Sequence, residues 1–303
     1  MGIVLGDDQY GKAETRVVRI YRDSDRHEIR DLNVSTALRG DFAAAYLAGD
    51  QANVLPTDSQ KNTCFAYARS HGVGAMEDYA LTLAGHFAQD IEPVTAAQVA
   101  VDEYRWERVA VDGVPHAHTF VRAGHEVRTT TATVAAGRAG VAGRRWVISG
   151  LRDLIVLKST GSEFAGFRRD RYTTLAETDD RILATSLTAR WRYASTDVPW
   201  DEAFAHVRQV LLERFAVLHS TALQQSLWEM GSAVLAARED IAEIRLSAPN
   251  KHHFLVDLTP FGLDNPGEVF YAADRPYGLL QCAVGRDGAP SPGPAWAGPG
   301  TFC

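Results

Sequence analysis

Strand-like and helix-like hydrophobic patterns follow one another in the same order twice along this chain, and that repetition limits the folds open to it. The first half opens with RVVRIYR (Arg16 to Arg22) and a second strand-like run near Ile29 to Val34. Met76, Tyr79, Leu83 and Phe87 then fall on one face of a helix. β-rich stretches follow around Ala97 to Trp106 and His118 to Thr133. The second half opens with Arg145 to Ser149 and Asp153 to Leu157, then adds Leu183 to Tyr193. A helix after Pro199 carries Phe204, Val207, Leu211 and Phe215 on one face, and another carries Leu223, Leu227, Met230 and Val234. Ile241 to Leu246 and Phe254 to Leu258 close it, with Phe254, Val256 and Leu258 alternating. Two such strand–strand–helix–strand–strand halves predict an α+β architecture, with antiparallel sheets and helices on one face. Sheet edges left open by each half invite pairing with another chain.

A run of small residues, Ala135 to Gly143, is the natural linker between the halves. It divides the 303 residues into domains 1–136 and 137–286, each long enough to bury a core. The remaining DGAPSPGPAWAGPGTFC, residues 287–303, has little apolar content and reads as a flexible tail. With a net charge of −7 and no lysine or arginine run, nucleic acid is not an expected partner. No apolar stretch approaches the roughly 20 residues that span a bilayer, so no membrane association is expected either. The start, MGIVLGDDQYGK, lacks a secretory pattern, and the end is not Ser-Lys-Leu, so a cytoplasmic location is expected. Cys64, Cys282 and Cys303 are few, odd in number and widely spaced, which fits a reducing compartment; Cys303 reads as a mobile free thiol.

The chemistry concentrates between Leu154 and Arg181, in LIVLKSTGSEFAGFRRDRYTTLAETDDR. An apolar run ends in Lys158-Ser159-Thr160, a polar loop follows, and then come Phe164, Phe167, Tyr172, Leu175 and Arg181. Taken singly, Phe164 is an ordinary core ring and Arg181 an ordinary surface cation. Delivered into one pocket, they suit a flat anionic heterocycle: the ring stacks and the guanidinium forks onto adjacent acceptors. The spacing of these positions, with Ser162 included, resembles the signature of the urate oxidase (uricase) family.

Motifs elsewhere extend the resemblance from Tyr10 to about Gly285. Tyr10-Gly11-Lys12 and Thr57-Asp58 followed by Lys61-Asn62-Thr63 stand where that family has its YGK and TDxxKNT segments. Without it, Lys12 is a solvated charge and Thr57-Asp58 a turn or helix cap. Asn250-Lys251-His252 matches the family's NKH motif, whereas His253 stands at an unspecified position. Leu223-Gln224 matches a pair that more usually has valine before the glutamine, a change that keeps the backbone contact. A primary amide, donor and acceptor at once, suits the mixed edge of a purine dione.

The resemblance implies two tandem tunnelling-fold domains, subunits that pair into a β-barrel, and a homotetramer with active sites at subunit interfaces. It implies cofactor-free oxidation of urate by dioxygen to 5-hydroxyisourate and hydrogen peroxide. Lys12, Thr57 and His252 carry over as a catalytic proton relay, in which a buried ammonium takes the threonine's proton. Thr57, Asp58, Phe164, Arg181, Leu223, Gln224 and Asn250 carry over as substrate contacts, Asp58 from a neighbouring subunit and Asn250 beside the dioxygen or water site. No metal or dinucleotide motif appears in the sequence.

Two alternatives stand beside this. A zinc-dependent tunnelling-fold pterin enzyme needs a histidine set, for which His116 and His118, near His125, offer only a partial one. A non-catalytic purine-binding protein would have no need of the lysine, threonine and histidine.

Overall fold

The computed structural model describes residues 2–137 and 143–297. The chain order is β1 (Thr15–Tyr21), β2 (Glu28–Gly40), α1 (Ala43–Ala48), α2 (Thr57–Ser70), α3 (Met76–Asp90), β3 (Val94–Val111), β4 (Val114–Ala135) and β5 (Arg144–Lys158). It continues through β6 (Leu183–Tyr193), α4 (Trp200–Val217), α5 (Leu223–Ala237), β7 (Ile241–Leu255), β8 (Phe270–Ala273) and β9 (Leu279–Gly285). The α+β class follows from this order. Residues 138–142 of the small-residue run, and Cys303, lie outside the described residues.

Two units form, and they are not contiguous in sequence. The first takes the chain up to Gly150, then Arg192–Ala203 and the residues from Pro290 onward; the second takes Leu151–Trp191 and Phe204–Ala289. Three of the four divisions fall inside β5, β6 and α4, and the fourth follows β9.

In the first unit β1, β2, β3 and β4 pair antiparallel in order. Alternation explains the core: Leu32, Val34 and Leu38 of β2 and Val99 and Val101 of β3 are buried. Above them packs α3, whose Met76, Ala80, Leu83, Ala84 and Phe87 have no exposed surface. The β3–β4 hairpin closes on Asp112 and Gly113, both with left-handed φ (52° and 78°), the geometry a two-residue turn between twisted strands demands. Buried Glu77 of α3 is matched, not stranded: Ser149 Oγ donates to it at 2.6 Å and Arg128 at 2.9 Å, and Arg128 also reaches Asp201 at 2.6 Å. Cys64 of α2 is wholly buried, and burial pushes its thiol up to about 12.

In the second unit α5 packs on β7 and β9 through Leu223, Leu227, Met230 and Val234, all buried. Strand β7 changes partner along its length. Glu243–Pro249 pair with β9, and His252–Leu255 pair with β8. The expected separate strand over Phe254 to Leu258 is therefore the end of β7 plus a loop, and Phe254 is largely exposed. Likewise Arg145–Ser149 and Asp153–Leu157 are one strand, β5, with Asp153 at a left-handed φ of 60° inside it. No helix among the described residues is long and apolar enough to cross a membrane.

The tail differs from expectation up to Ala297. Ala295 is buried against Trp146 and Ile148, with Trp296 beside them. Arg192 donates to the Pro290 carbonyl at 2.9 Å and Gln98 to that of Ala295 at 3.4 Å. Gly293 (φ 50°) lies so close to the Trp146 indole that a Cβ there would fall 2.9 Å from the ring. Composition missed this because the apolar area is supplied by the receiving surface, and the tail's small residues permit close approach. Truncation after Ala289 should therefore cost about 2 kcal/mol by uncovering Trp146. A thermal melt followed by tryptophan fluorescence checks it; an unchanged midpoint would refute the docking.

Candidate functional site

A cavity of about 340 Å³ in the second unit is lined by Phe164, Arg181, Leu223, Gln224, Asn250 and His252, among others. Each residue that the sequence proposed in this half as a ligand contact or relay member reaches that one cavity. They arrive from separate segments, and the backbone explains how. Phe164 sits in the loop between β5 and β6, not on a strand. Its N–H donates to the Thr178 carbonyl at 2.9 Å and its carbonyl accepts from Thr178 N–H at 3.1 Å. This bridge folds the loop back so that Phe164 and Arg181 meet, the guanidinium carbon 5.2 Å from the ring centroid. Phe167 stacks on Phe164 at 4.9 Å, nearly parallel, and backs the ring.

Lys158 holds the loop's other anchor. Its Nζ donates to the Leu218 carbonyl at 2.5 Å and to Ser220 Oγ at 2.7 Å, just past the end of α4. A cation there meets the helix's carbonyl end, and burial lowers its pKa. Ser226 Oγ of α5 donates to Ser220 Oγ at 2.8 Å. Lys158, which the sequence marked without a role, thus ties β5 to the start of the helix that presents Leu223 and Gln224. The first intrahelical bond of α5 runs from Ser226 N–H to the Ala222 carbonyl. The amides of Leu223 and Gln224 precede it and are free of helical partners.

Asn250 and His252 flank the point where β7 exchanges β9 for β8, and Asn250 N–H donates to the Gly278 carbonyl at 2.8 Å. The His252 ring stacks with Phe254 at 5.6 Å. His252 has a lowered pKa, first through burial, then through the positive charge of Arg181 and of His253. His253, which matched no motif, also lines the cavity, as do Thr178, Ile182 and Phe254. Burial likewise lowers the pKa of Arg181, and its Nε is buried with no hydrogen-bond partner. An unsatisfied buried donor on a residue that lines a cavity is costly, and an anionic acceptor would relieve it.

Lys12, Thr57 and Asp58 belong to the first unit. The residues before β1 extend β2: Tyr10 pairs with Leu38, Lys12 N–H donates to Thr36 Oγ1 at 3.1 Å, and Thr36 Oγ1 donates to Gln60 Oε1 at 2.7 Å. Gly11 is obligatory, because a Cβ would fall 1.8 Å from the Thr36 carbonyl oxygen. Tyr10 OH donates to the Leu55 carbonyl at 3.2 Å and accepts from its N–H at 2.9 Å. One phenol therefore fixes the approach to Thr57, the first residue of α2. Gln60 and Thr36, buried and bonded to each other, carried no sequence signal of their own. The Asp58 carboxylate is engaged by Lys61 at 2.5 Å and Asn62 at 2.9 Å, which, with the nearby charge of Lys12, hold its pKa down. What α2 leaves open are the amides of Thr57, Asp58 and Ser59, ahead of the bond from Gln60 N–H to the Pro56 carbonyl.

Three other histidines form a separate group. His116 and His118 meet ring to ring at 4.5 Å, and His27 lies 5.8 Å from His118. Among the described residues no group of three or more His, Cys, Asp or Glu is placed to hold a metal ion.

Comparison with known proteins brings in an independent line. A family described as Uricase matches residues 8–133 and 147–281. A uricase of Arthrobacter globiformis is 50% identical over 301 residues, covering 99% of this chain and 96% of that protein. One of Aspergillus flavus is 36% identical over 293 residues, covering 92% and 95%. The crystal structure of the Arthrobacter globiformis uricase superposes with a TM-score of 0.91, over 98% of this chain and 100% of that one. A urate oxidase of Bacillus sp. TB-90, 21% identical, shares the fold with a TM-score of 0.82 over 92% and 100%.

The electrostatics make a pH prediction. Because Arg181 disfavours the His252 cation, Arg181→Gln should raise the His252 pKa back toward the ordinary histidine value without reaching it, since burial remains. An NMR titration of the ring protons reads this directly; a pKa that stays put would show the two groups to be uncoupled.

Proposed function

The chain belongs to the uricase family, and from that premise we propose that it oxidises urate with dioxygen and water to 5-hydroxyisourate and hydrogen peroxide. The observation that carries this reading is the cavity in which Arg181 keeps a buried, unpartnered Nε beside Phe164, Gln224 and His252. Urate, an anion, lies flat on Phe164. Arg181 donates to one edge, Gln224 donates and accepts there, and the Leu223 amide adds a further donor.

Thr57 and Asp58 meet the other edge from a second copy of the chain, in a homotetramer whose active sites lie at subunit interfaces. Their open amides at the start of α2 are suited to an anion, which fits an Asp58 carboxylate already committed to Lys61 and Asn62. The exposed side chains of Phe254, Leu255, Phe261, Leu263, Tyr271 and Leu279 give the second unit apolar surface of the kind that association covers.

Dioxygen sits over the ring near Asn250 and Thr57. Two electrons leave the urate anion, dioxygen becomes hydrogen peroxide, and water adds to the oxidised ring. The balance closes without another electron acceptor. What the protein supplies is orientation and proton management. Lys12, Thr57 and His252 form the relay. A lowered pKa keeps His252 neutral near pH 7 and so able to accept a proton.

Loss of urate's ultraviolet absorbance, measured with oxygen uptake in the presence of a strong chelator, tests the reaction. Equal consumption of urate and oxygen is expected. Binding without turnover would leave a purine-binding protein, and loss of activity only with chelator would bring back a metal. Two substitutions divide the roles. Lys12→Met should lower turnover about a hundredfold with little change in urate affinity. Arg181→Ala should chiefly weaken binding, and wild-type turnover in Lys12→Met would sink the relay.

A further inference from the structure

An acid directly adjoins the arginine that faces the cavity, and the two do not pair. Asp180 precedes Arg181, yet its carboxylate turns back along the loop. Thr160 Oγ1 donates to Oδ2 at 2.7 Å and Gly161 N–H donates to Oδ1 at 2.9 Å. The amides of Ser162 and Arg181 are also directed at it, and these donors together hold its pKa down. A carboxylate has about four acceptor sites, and the two hydrogen bonds this one accepts both come from within the loop. The Asp180 carbonyl also accepts from Thr178 Oγ1 at 2.6 Å, two residues beyond the partner of Phe164. Asp180 therefore closes the loop at both ends of its own residue, to the exit of β5 through its side chain and to the Phe164–Thr178 bridge through its backbone.

We infer that Asp180 is a positioning residue for substrate binding: by spending its carboxylate on Thr160 and Gly161 it fixes Arg181 over Phe164 and leaves the guanidinium free for the ligand. Released from those donors, the carboxylate would become the guanidinium's nearest anion and compete with substrate for it. Removed altogether, it would hand Thr160 Oγ1 and Gly161 N–H over to water, which cannot tie them to residue 180, and the Phe164–Arg181 geometry would loosen. The inference rests on the reading that urate binds at Arg181.

The test combines binding with turnover. Urate is titrated anaerobically, so that affinity is measured without reaction, and kcat is measured in air. The proteins are wild type, Asp180→Ala, Asp180→Asn, Thr160→Val, Arg181→Ala and the Asp180→Ala/Arg181→Ala double variant. Asp180→Ala should raise the urate Kd roughly tenfold, with kcat at saturation within about twofold of wild type. Asp180→Asn, which keeps an acceptor for Thr160 or Gly161, should recover part of that loss. Thr160→Val should repeat the affinity loss in smaller measure, and it carries the test if Asp180→Ala fails to fold. In the double variant the two losses should fall well short of multiplying. Unchanged affinity in a folded Asp180→Ala with a lowered melting temperature would overturn the inference, leaving Asp180 a purely structural residue. Fully multiplying losses would also overturn it, because Asp180 would then act independently of Arg181, while the binding site itself would stand. Unchanged affinity in Arg181→Ala would instead remove the binding site, and this inference with it.

Discussion

A half-buried guanidinium with an unbonded Nε is an unfavourable thing to keep, and the architecture around the cavity is organised to keep it. Arg181 has no hydrogen bond at Nε to hold it in place. Its position is set instead by the backbone bridge between Phe164 and Thr178 and by the ring it lies against. Behind these stands Lys158, whose bonds to Leu218 and Ser220 join the root of the loop to the start of α5. On the proposed reading, the hydrogen bond that Nε does not make within the protein is the part available to an anionic substrate.

The first unit solves a related problem by different means. Lys12 lies in a segment outside any regular strand, and such segments are ordinarily mobile. Here Gly11 lets the backbone press against Thr36, and the chain from Lys12 N–H through Thr36 to Gln60 spans to α2. The tyrosine of the YGK segment clasps both polar groups of the Leu55 peptide. Two residues of the motif, Tyr10 and Gly11, therefore place the third, Lys12, the one to which the proposed reaction gives the chemistry.

Helix periodicity was legible in the sequence. Met76, Leu83 and Phe87 face inward as their spacing required, and so do Leu223, Leu227, Met230 and Val234. The wall-forming residues Phe164, Arg181, Gln224, Asn250 and His252 were legible too, though through family resemblance rather than spacing. What escaped was whatever depends on a partner distant in sequence. Strand β7 gives no local sign of where it leaves β9 for β8, and short β8 and β9 do not announce themselves. Asp180 looks like one more surface acid until Thr160 is seen beside it. The Pro/Gly-rich tail looked unable to pack because its own apolar content is small, whereas Trp146 and Ile148 supply what it lacks.

The burial of Cys64 acquires a meaning once the proposed product is considered. An enzyme that releases hydrogen peroxide is the first protein its own oxidant meets, and the species attacked is the thiolate rather than the thiol. With its pKa pushed up to about 12 by burial, Cys64 stays in the thiol form at neutral pH. Met76 and Met230 are buried as well, which keeps their thioethers from solvent. On the proposed reaction, the same packing that completes the cores also keeps Cys64, Met76 and Met230 from the peroxide released.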